Sequence, residues 1–96
     1  MFTIIQTEAF AAWLKSLRDG NTRIRLVKRL RRASFGNLGD IKPVGGGVWE
    51  MREFFGPGWR MYYTERSGAL VFMLSGGDKS SQEDDIIRAQ VLAKEI

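Results

Sequence analysis

The sequence contains no cysteine and no histidine, and only two of its 96 residues are proline. The lack of cysteine excludes disulfide bonds and thiolate metal sites, and the lack of histidine excludes imidazole chemistry. An enzyme with this sequence would have to use arginine, lysine, tyrosine, carboxylate or hydroxyl groups. No stretch approaches the roughly 18 apolar residues of a membrane span, and the amino-terminal MFTIIQTEAF has no basic region followed by an apolar run. We therefore expect a cytoplasmic protein that has no membrane partner.

Acidic residues are also scarce, because 11 Asp and Glu face 15 Lys and Arg, which gives a net charge of +4. The excess is carried mainly by arginine, whose planar guanidinium suits phosphate oxygens. The charge therefore favours an anionic partner. A length of 96 residues and a hydrophobic content of 44% fit one small globular domain over residues 1–96 and leave no room for a second.

Residues 48 to 79 predict the part of the fold on which the functional interpretation depends. The segments VWEMREFF and WRMYY are predicted to be two strands joined by a Gly-Pro-Gly turn, followed by the strand LVFML, which is apolar on both faces. That last strand runs into the glycine-rich, lysine-bearing sequence SGGDKS. Successive side chains of a strand point to opposite faces. Glu50 therefore shares a face with Arg52, and Arg60 shares one with Tyr62.

The length of the turn decides which residues of the two strands face the same way. A three-residue loop with a positive φ at Gly58 pairs Phe55 with Trp59 and sets Arg52 opposite Tyr62. A loop of two or four residues would shift the pairing by one and mix polar and apolar groups on both faces. We favour the first register. It puts Trp49, Met51, Met61 and Tyr63 on the core side and presents the following residues together on the solvent surface: Glu50, Arg52, Arg60 and Tyr62.

A strand over residues 2–6 and two helices over residues 7–18 and 22–35 are predicted ahead of this segment. Thr7 is the expected cap of the first helix, and Asp19-Gly20-Asn21 its expected end. We expect the two helices to form an antiparallel hairpin that packs on the sheet. The predicted buried stripe of the second helix consists of Ile24, Val27, Leu30 and Phe35.

The other side of the second helix is strongly basic. One interpretation is an ordinary solvated face, since lysine and arginine usually lie on surfaces. The other is a stripe that binds successive phosphate groups, which the scarcity of acidic residues between Thr22 and Ser34 favours. The residues of this stripe are Arg25, Lys28, Arg29, Arg31 and Arg32.

The remaining elements are a short extended segment over residues 41–44 and a last helix. Ser80 and Glu83 fit a capping box, so this helix is predicted to start there and to end at Lys94. Its predicted packing surface consists of Ile86, Ile87, Gln90 and Val91, with Ala89 and Ala93 allowing close approach. The predicted fold class is α+β, in the order β-α-α-β-β-β-α, with a helical hairpin packed on a small, mostly antiparallel sheet.

Three runs of the sequence, GVWEMR, GWRMYY and GGDKSSQ, resemble the RelE/ParE superfamily of toxins from toxin–antitoxin systems. Within that superfamily the chain is most similar to the HigB-like group of phage-derived addiction module killer proteins. The resemblance extends over nearly the whole chain and implies a RelE-like fold. It also implies a toxin that cleaves mRNA, in many members on the ribosome, that needs no metal or other cofactor and that a cognate antitoxin holds inactive.

The resemblance also implies roles for individual residues. Arg60 matches the arginine that contacts the scissile phosphate in RelE-like toxins. Arg52 falls on a strand position that is basic in those enzymes, and Lys79 matches a basic residue at the end of the last strand. Glu50 stands where well-studied RelE proteins have a lysine, and the tyrosine of their last helix has no match near Asp85. Either Glu50 serves as the base, or the chemistry differs.

Ordinary structural explanations exist for the same residues. Arg52 could form a cross-strand ion pair with Glu50 or Glu53, and Lys79 could be a surface lysine at the start of a helix. Tyr62 is a candidate for RNA binding, by stacking on a base or by a hydrogen bond to a phosphate, or else it packs half-buried in the sheet.

Three functions follow from the resemblance. The first is a ribosome-associated endoribonuclease, which the presence of Arg52, Arg60 and Lys79 favours, with mRNA and the ribosome as partners. The second is a ParE-like gyrase inhibitor on the same scaffold, and the third is a non-catalytic module that binds only its antitoxin. Each implies a cognate antitoxin, typically a helix-turn-helix protein, through which alone the complex would reach operator DNA.

Overall fold

The computed structural model describes residues 1–96 as an α+β fold, as the sequence predicts. None of its three α-helices has the length and apolar character needed to cross a membrane. In chain order the elements are β1 (Thr3–Gln6), α1 (Glu8–Ser16), α2 (Gly20–Ser34), β2 (Ile41–Gly45), β3 (Val48–Arg52), β4 (Arg60–Arg66), β5 (Leu70–Gly77), a 3-10 turn (Lys79–Ser81) and α3 (Gln82–Ala93).

The five strands form one sheet in the order β1-β5-β4-β3-β2. β1 pairs with β5 in parallel, and the other neighbouring strands are antiparallel. The sheet is therefore mostly antiparallel, as predicted. It has one strand more than predicted, because the extended segment over residues 41–44 pairs with β3 as the edge strand β2, with an irregularity between Pro43 and Gly45.

Helices α1 and α2 cover one face of the sheet. The side chains that alternate toward them from the three central strands are apolar, and they form the larger of two hydrophobic cores. Removing each such side chain from water contributes about 1.5–3 kcal/mol to stability. The buried members of this core are Phe10, Leu14, Leu17, Leu26, Leu30, Ala33, Met51, Met61, Tyr63, Val71 and Met73.

Helix α3 covers the opposite face, which the sequence analysis left exposed to solvent. The small side chains of Ala89 and Ala93 are both buried, so the helix lies close to the strands, as their size predicts. Ile87 and Val91, in the predicted packing surface, are instead more than half exposed. The smaller core on this face consists of Val48, Tyr62, Leu74, Ala89 and Ala93.

Side-chain oxygens cap the first two α-helices. Thr7 caps α1, as predicted, by accepting a hydrogen bond from the amide of Phe10. Asp19 does not end α1, which stops at Ser16; it caps α2 by accepting from the amide of Asn21. The predicted capping box at Ser80 is also wrong, because Asp78 caps the preceding 3-10 turn.

Helix α2 faces the sheet with a different stripe from the one predicted. Leu26 and Ala33 are buried together with Leu30, whereas Ile24 is 53% and Val27 48% exposed. Phe35, the last residue of the predicted stripe, is also exposed. The buried face also includes one basic side chain, Arg29, between the two leucines.

The register of β3 and β4 differs from the predicted one by two residues. Arg52 lies opposite Arg60, and Glu50 opposite Tyr62. A shift of two leaves every side chain on its predicted face. The connection over residues 53–59 is longer than the predicted loop, and Gly58 has the expected positive φ, of 81°.

Candidate functional site

The site lies where β3 ends, β4 begins and β5 ends. Arg52 and Arg60 are direct cross-strand partners, so both side chains leave the sheet on the face that α3 covers. Residues paired in this way have their Cβ atoms about 4.5–5.5 Å apart. The alternation of the strands therefore brings two guanidinium groups together.

Arg60 is almost buried, with 6% of its surface exposed. Its Nη1 donates to the carbonyl oxygens of Glu53, at 2.9 Å, and Trp59, at 3.0 Å. Its Nε lies 3.8 Å from Glu50 Oε1 and makes no hydrogen bond. Its Nη2 has no partner within the chain and is not among the fully buried polar atoms. The guanidinium is thus fixed by one nitrogen and has another left for a ligand.

Arg52 is held less firmly. Its Nη2 donates to Asp40 Oδ1 at 3.0 Å, and its side chain is 33% exposed. The predicted alternative of an ion pair with Glu50 or Glu53 is wrong, because Asp40 of the preceding loop is the partner. An ion pair at such an exposed position stabilises a protein by about 0–1 kcal/mol. A phosphate group can therefore replace the Asp40 carboxylate at small cost.

Lys79 begins the 3-10 turn after β5 and is exposed. Gly58 lies between it and Arg60, since a Cβ built on Gly58 would be 3.4 Å from Lys79 Cβ and 3.6 Å from Arg60 Nη1. The structure thus brings together three of the predicted catalytic residues. We call Arg52, Arg60 and Lys79 the cationic rim.

Two glycines at the end of β5 let the helices approach the rim. A Cβ on Gly76 would lie 2.6 Å from Trp13 Cδ2 of α1, and a Cβ on Gly77 would lie 2.8 Å from Asp85 Cγ of α3. Gly77 is also the partner of Arg60 across β4 and β5. The pair of glycines therefore allows one helix on each face at the position where Arg60 leaves the sheet.

Glu50 lies beneath the start of α3 and is 0% exposed. Its Oε2 accepts a hydrogen bond from Gln82 Nε2 at 2.7 Å, and its Oε1 lies 3.8 Å from Arg60 Nε without a hydrogen bond. The prediction that this carboxylate is presented at the surface is wrong, because α3 covers it. The burial of Glu50 and its position beside Arg60 predict that it acts on the site through Arg60.

Tyr62 is also buried, at 0% exposure, and packs against Val48, Leu74 and the alanines of α3. Its hydroxyl makes no hydrogen bond. Burial, and after it the negative charge of Glu50, raises the pKa of this hydroxyl well above its ordinary value. The predicted contact of Tyr62 with RNA is therefore wrong. The alternative explanation, that Tyr62 packs in the sheet, fits the structure.

Arg29 is the buried basic residue of α2, with 4% of its surface exposed. It donates to the carbonyl oxygens of Leu38, Asp40 and Arg52 at 2.8–2.9 Å and pairs with the carboxylate of Glu53. Its prediction as an RNA-binding residue is wrong. It fastens the loop before β2 to the end of β3, so it supports the rim from behind.

The other predicted RNA-binding residues of α2 are exposed. The guanidinium of Arg25 lies 3.6 Å from the centre of the Phe55 ring, in the connection between β3 and β4. Lys28 and Arg32 lie further along α2, and no contact joins them to the cationic rim. The structure therefore places Arg25 beside the connection that carries Phe54 and shows no such contact for Lys28 or Arg32.

Phe54 is a site residue that the sequence analysis did not select. It lies in the same connection and is 74% exposed, and the guanidinium carbons of both Arg52 and Arg60 lie 5.8 Å from its ring centre. The available signal was the pair of adjacent phenylalanines, because strand alternation allows only one of them to face the core.

The chemistry of this arrangement is electrostatic. It offers fixed positive charge, one free guanidinium nitrogen and an exposed aromatic ring. Asp78, next to Lys79, remains ionised because hydrogen bonds from the hydroxyl and the amide of Ser80 lower the pKa of its carboxyl group. Such a site can bind a phosphate and stabilise added negative charge on it.

Comparison with known proteins gives a sequence relative and a structural one. No protein-family model matches the chain. An uncharacterized protein of Haemophilus influenzae is 42% identical to it over 90 residues, which cover 94% of this chain and 91% of that protein. The E. coli toxin RelE, solved as a mutant in the free state, matches 99% of this chain and 97% of its own with a TM-score of 0.72. At 17% identity this likeness shows the fold.

Proposed function

The chain belongs to the same family as the uncharacterized Haemophilus influenzae protein and has the RelE fold, and from this premise we propose that it is the toxin of a type II toxin–antitoxin system. In this proposal it is a HigB-like, metal-independent endoribonuclease that cleaves mRNA on the ribosome and so inhibits translation. The observation that carries the proposal is the cationic rim, in which Arg52 and Arg60 are paired on one face and Lys79 lies beside Arg60.

The reaction that fits the rim starts with the 2′-hydroxyl of the RNA, which attacks the adjacent phosphate. The 2′-oxygen bonds to phosphorus and loses its proton to solvent. The bond from phosphorus to the 5′-oxygen of the next nucleotide breaks, and that oxygen takes up a proton from solvent, which leaves a 2′,3′-cyclic phosphate and a 5′-hydroxyl. Negative charge builds up on the phosphate oxygens between these events. Fixed donors aimed at such charge each accelerate a reaction by about 10²–10³-fold. In this role Arg60 contacts the phosphate, and Arg52 and Lys79 neutralise the added charge.

The acidic start of α3 restricts how the RNA approaches. Lys79 shares a surface pocket with Glu83 and Asp84, whose carboxylates repel phosphate groups. The connection between β3 and β4 starts after Arg52, carries Phe54 and is flanked by Arg25. We therefore orient the RNA strand across this connection, with one phosphate at the rim.

A defined message incubated with the purified chain, with and without ribosomes, tests this function. We expect the wild type to cut the message and Arg60→Ala to cut it at least about 100-fold more slowly. Lys79→Ala should also slow cleavage. Because Lys79 is exposed, this substitution should leave folding intact. Arg18→Ala removes the same charge from an exposed residue between α1 and α2 and should cut as fast as the wild type.

The same variants distinguish the alternative functions. Growth arrest that persists with Arg60→Ala, together with inhibition of DNA supercoiling by purified gyrase, would support a ParE-like gyrase inhibitor instead. A chain that neither cuts the message nor inhibits supercoiling would be a module that binds only its antitoxin. Either result would overturn the proposed RNA cleavage.

The proposal includes a cognate antitoxin, typically a helix-turn-helix protein, and a groove between α1 and α2 supports such a partner. The groove has a volume of about 480 Å³ and is apolar at its base, where the exposed Ile24 and Val27 lie beside Leu14. Its basic residues are Lys15, Arg23 and Lys28. An amphipathic helix with an acidic polar face complements this combination of apolar and positive surface.

Co-expression with the product of the adjacent gene tests this partner. Val27→Lys places a charge in the groove and should prevent neutralisation of the toxin while growth arrest remains. Val91→Lys is the matched control, since Val91 is 53% exposed, close to the 48% of Val27, but lies on α3. Loss of neutralisation with Val91→Lys alone would assign the antitoxin to α3 and contradict the groove.

A further inference from the structure

Phe54 is the most exposed phenylalanine of the chain, at 74%. The adjacent Phe55 is partly buried, packs against the larger core and has the guanidinium of Arg25 on its ring. Phe55 therefore anchors the connection between β3 and β4, and Phe54 is left to face outward. An apolar ring held in water by a well-anchored loop is available for a ligand.

The ring stands beside the cationic rim. The guanidinium carbons of Arg52 and Arg60 are both 5.8 Å from its centre, close to the limit of about 6 Å for attraction between a cation and an aromatic ring. With most of its surface exposed, the ring keeps a face open rather than being covered by either arginine. A planar ligand that carries a phosphate could therefore use the rim and the ring at once.

We propose that Phe54 is a stacking platform for a nucleobase next to the phosphate held by Arg52 and Arg60. This inference rests on the proposed function, since it concerns how that site holds single-stranded RNA. Proteins bind single strands by combining cations that contact the backbone with aromatic rings on which bases stack. Tyr62, the aromatic residue selected from the sequence, cannot do this because it is buried. Stacking is tolerant of base identity, so Phe54 supplies affinity and position rather than strict sequence preference.

Equilibrium binding of a single-stranded oligonucleotide tests the platform. The probe is a mixed-sequence 2′-O-methyl RNA, which cannot be cut because its 2′-oxygens are blocked. Its binding is measured with the free RNA and with the RNA in ribosomal complexes. We expect Phe54→Ala and Phe54→Leu each to weaken binding about tenfold, and Phe54→Tyr to bind within about twofold of the wild type. Phe54→Leu separates aromatic stacking from general apolar contact. Phe35→Ala is the matched control, since Phe35 is 64% exposed at the end of α2.

A second probe isolates the base. An abasic oligonucleotide of the same length offers phosphates without a ring to stack, so the wild type and Phe54→Ala should bind it equally. Wild-type binding by Phe54→Leu, or an equal loss with the abasic probe, would overturn the inference. A wild type that binds neither probe, on or off the ribosome, would also overturn it. If the wild type binds the first probe but cuts no message, the proposed cleavage fails and the stacking site stands.

Discussion

Arg60 and Glu50 lie side by side beneath the start of α3, with 3.8 Å between Nε and Oε1. Both residues are buried, and this pair of atoms is not hydrogen-bonded. The other carboxylate oxygen of Glu50 is bound by Gln82, so α3 holds Glu50 and Glu50 supplies the negative charge next to Arg60. Breaking a buried pair of opposite charges is costly, because the remaining charge has no compensation. We therefore infer that Glu50 positions Arg60.

Glu50→Gln keeps the shape of the side chain and removes its charge. We expect the free energy of unfolding to fall by about 3 kcal/mol. Message cleavage should slow by about tenfold, less than the 10²–10⁴-fold effect of a lost general base, because the carbonyl groups of Glu53 and Trp59 still hold Arg60. Urea unfolding and the pH profile of cleavage provide the measurements. Loss of the acidic limb of that profile with unchanged stability would show that Glu50 is the base. Glu65→Gln, at an exposed residue, is the control.

Gly77→Ala should be among the most destabilising single substitutions in the chain. The added methyl group would overlap the carboxyl group of Asp85 in α3, and its strand position is directly opposite Arg60. We expect a loss of about 3 kcal/mol or more in the free energy of unfolding, measured by urea titration. Gly20→Ala is the matched control. It lies at the start of α2 with no atom closer than 3.7 Å to the new methyl group, so it should be neutral or stabilising. Equal stability of the two variants would contradict the close approach of α3.

The strands show what the sequence could predict about the site. Side chains alternate with a period of two, so the grouping of Arg52 with Arg60 survives an error of two residues in the register. The length of the connection was harder to predict. The amide of Glu53 donates a hydrogen bond to the carbonyl oxygen of Trp59, so the connection closes around more residues than the Gly-Pro-Gly turn.

The helices show why the rest could not be predicted. Two of the larger apolar residues of α3, Ile87 and Val91, are exposed, whereas Ile86 and Leu92 are partly buried against the sheet beside two buried alanines. The apolar pattern therefore identifies only part of the packing face of α3, and it does not show that this helix covers Glu50. The burial of Arg29 could not be predicted either. It depends on carbonyl groups that are distant in sequence, and the residues around Arg29 in α2 give no sign of them.

Arg29→Met tests the structural role of that buried arginine. Methionine fills the position with an apolar side chain but leaves three backbone carbonyl groups and the Glu53 carboxylate without their donor. We expect a loss of about 3–5 kcal/mol in the free energy of unfolding. Arg32→Ala removes an exposed charge from the same helix and should change stability by no more than about 0.5 kcal/mol. If both variants unfold at the same urea concentration, Arg29 does not fasten the loop, and its assignment to the RNA-binding stripe would have to be reconsidered.

Tyr63 predicts how stability depends on alkaline pH. It is 2% exposed, and burial, followed by the negative charge of Glu65, raises its pKa from the ordinary 10.0 to about 12. Between these values the unfolded chain releases the phenolic proton while the folded chain retains it, so stability falls as the pH rises. The fall is about 1.4 kcal/mol per pH unit for this one group. Urea unfolding at about pH 8 and about pH 11 should show a smaller loss for Tyr63→Phe than for the wild type, by about 1.4 kcal/mol. Equal losses in the two proteins would mean that the Tyr63 hydroxyl titrates as it does in water.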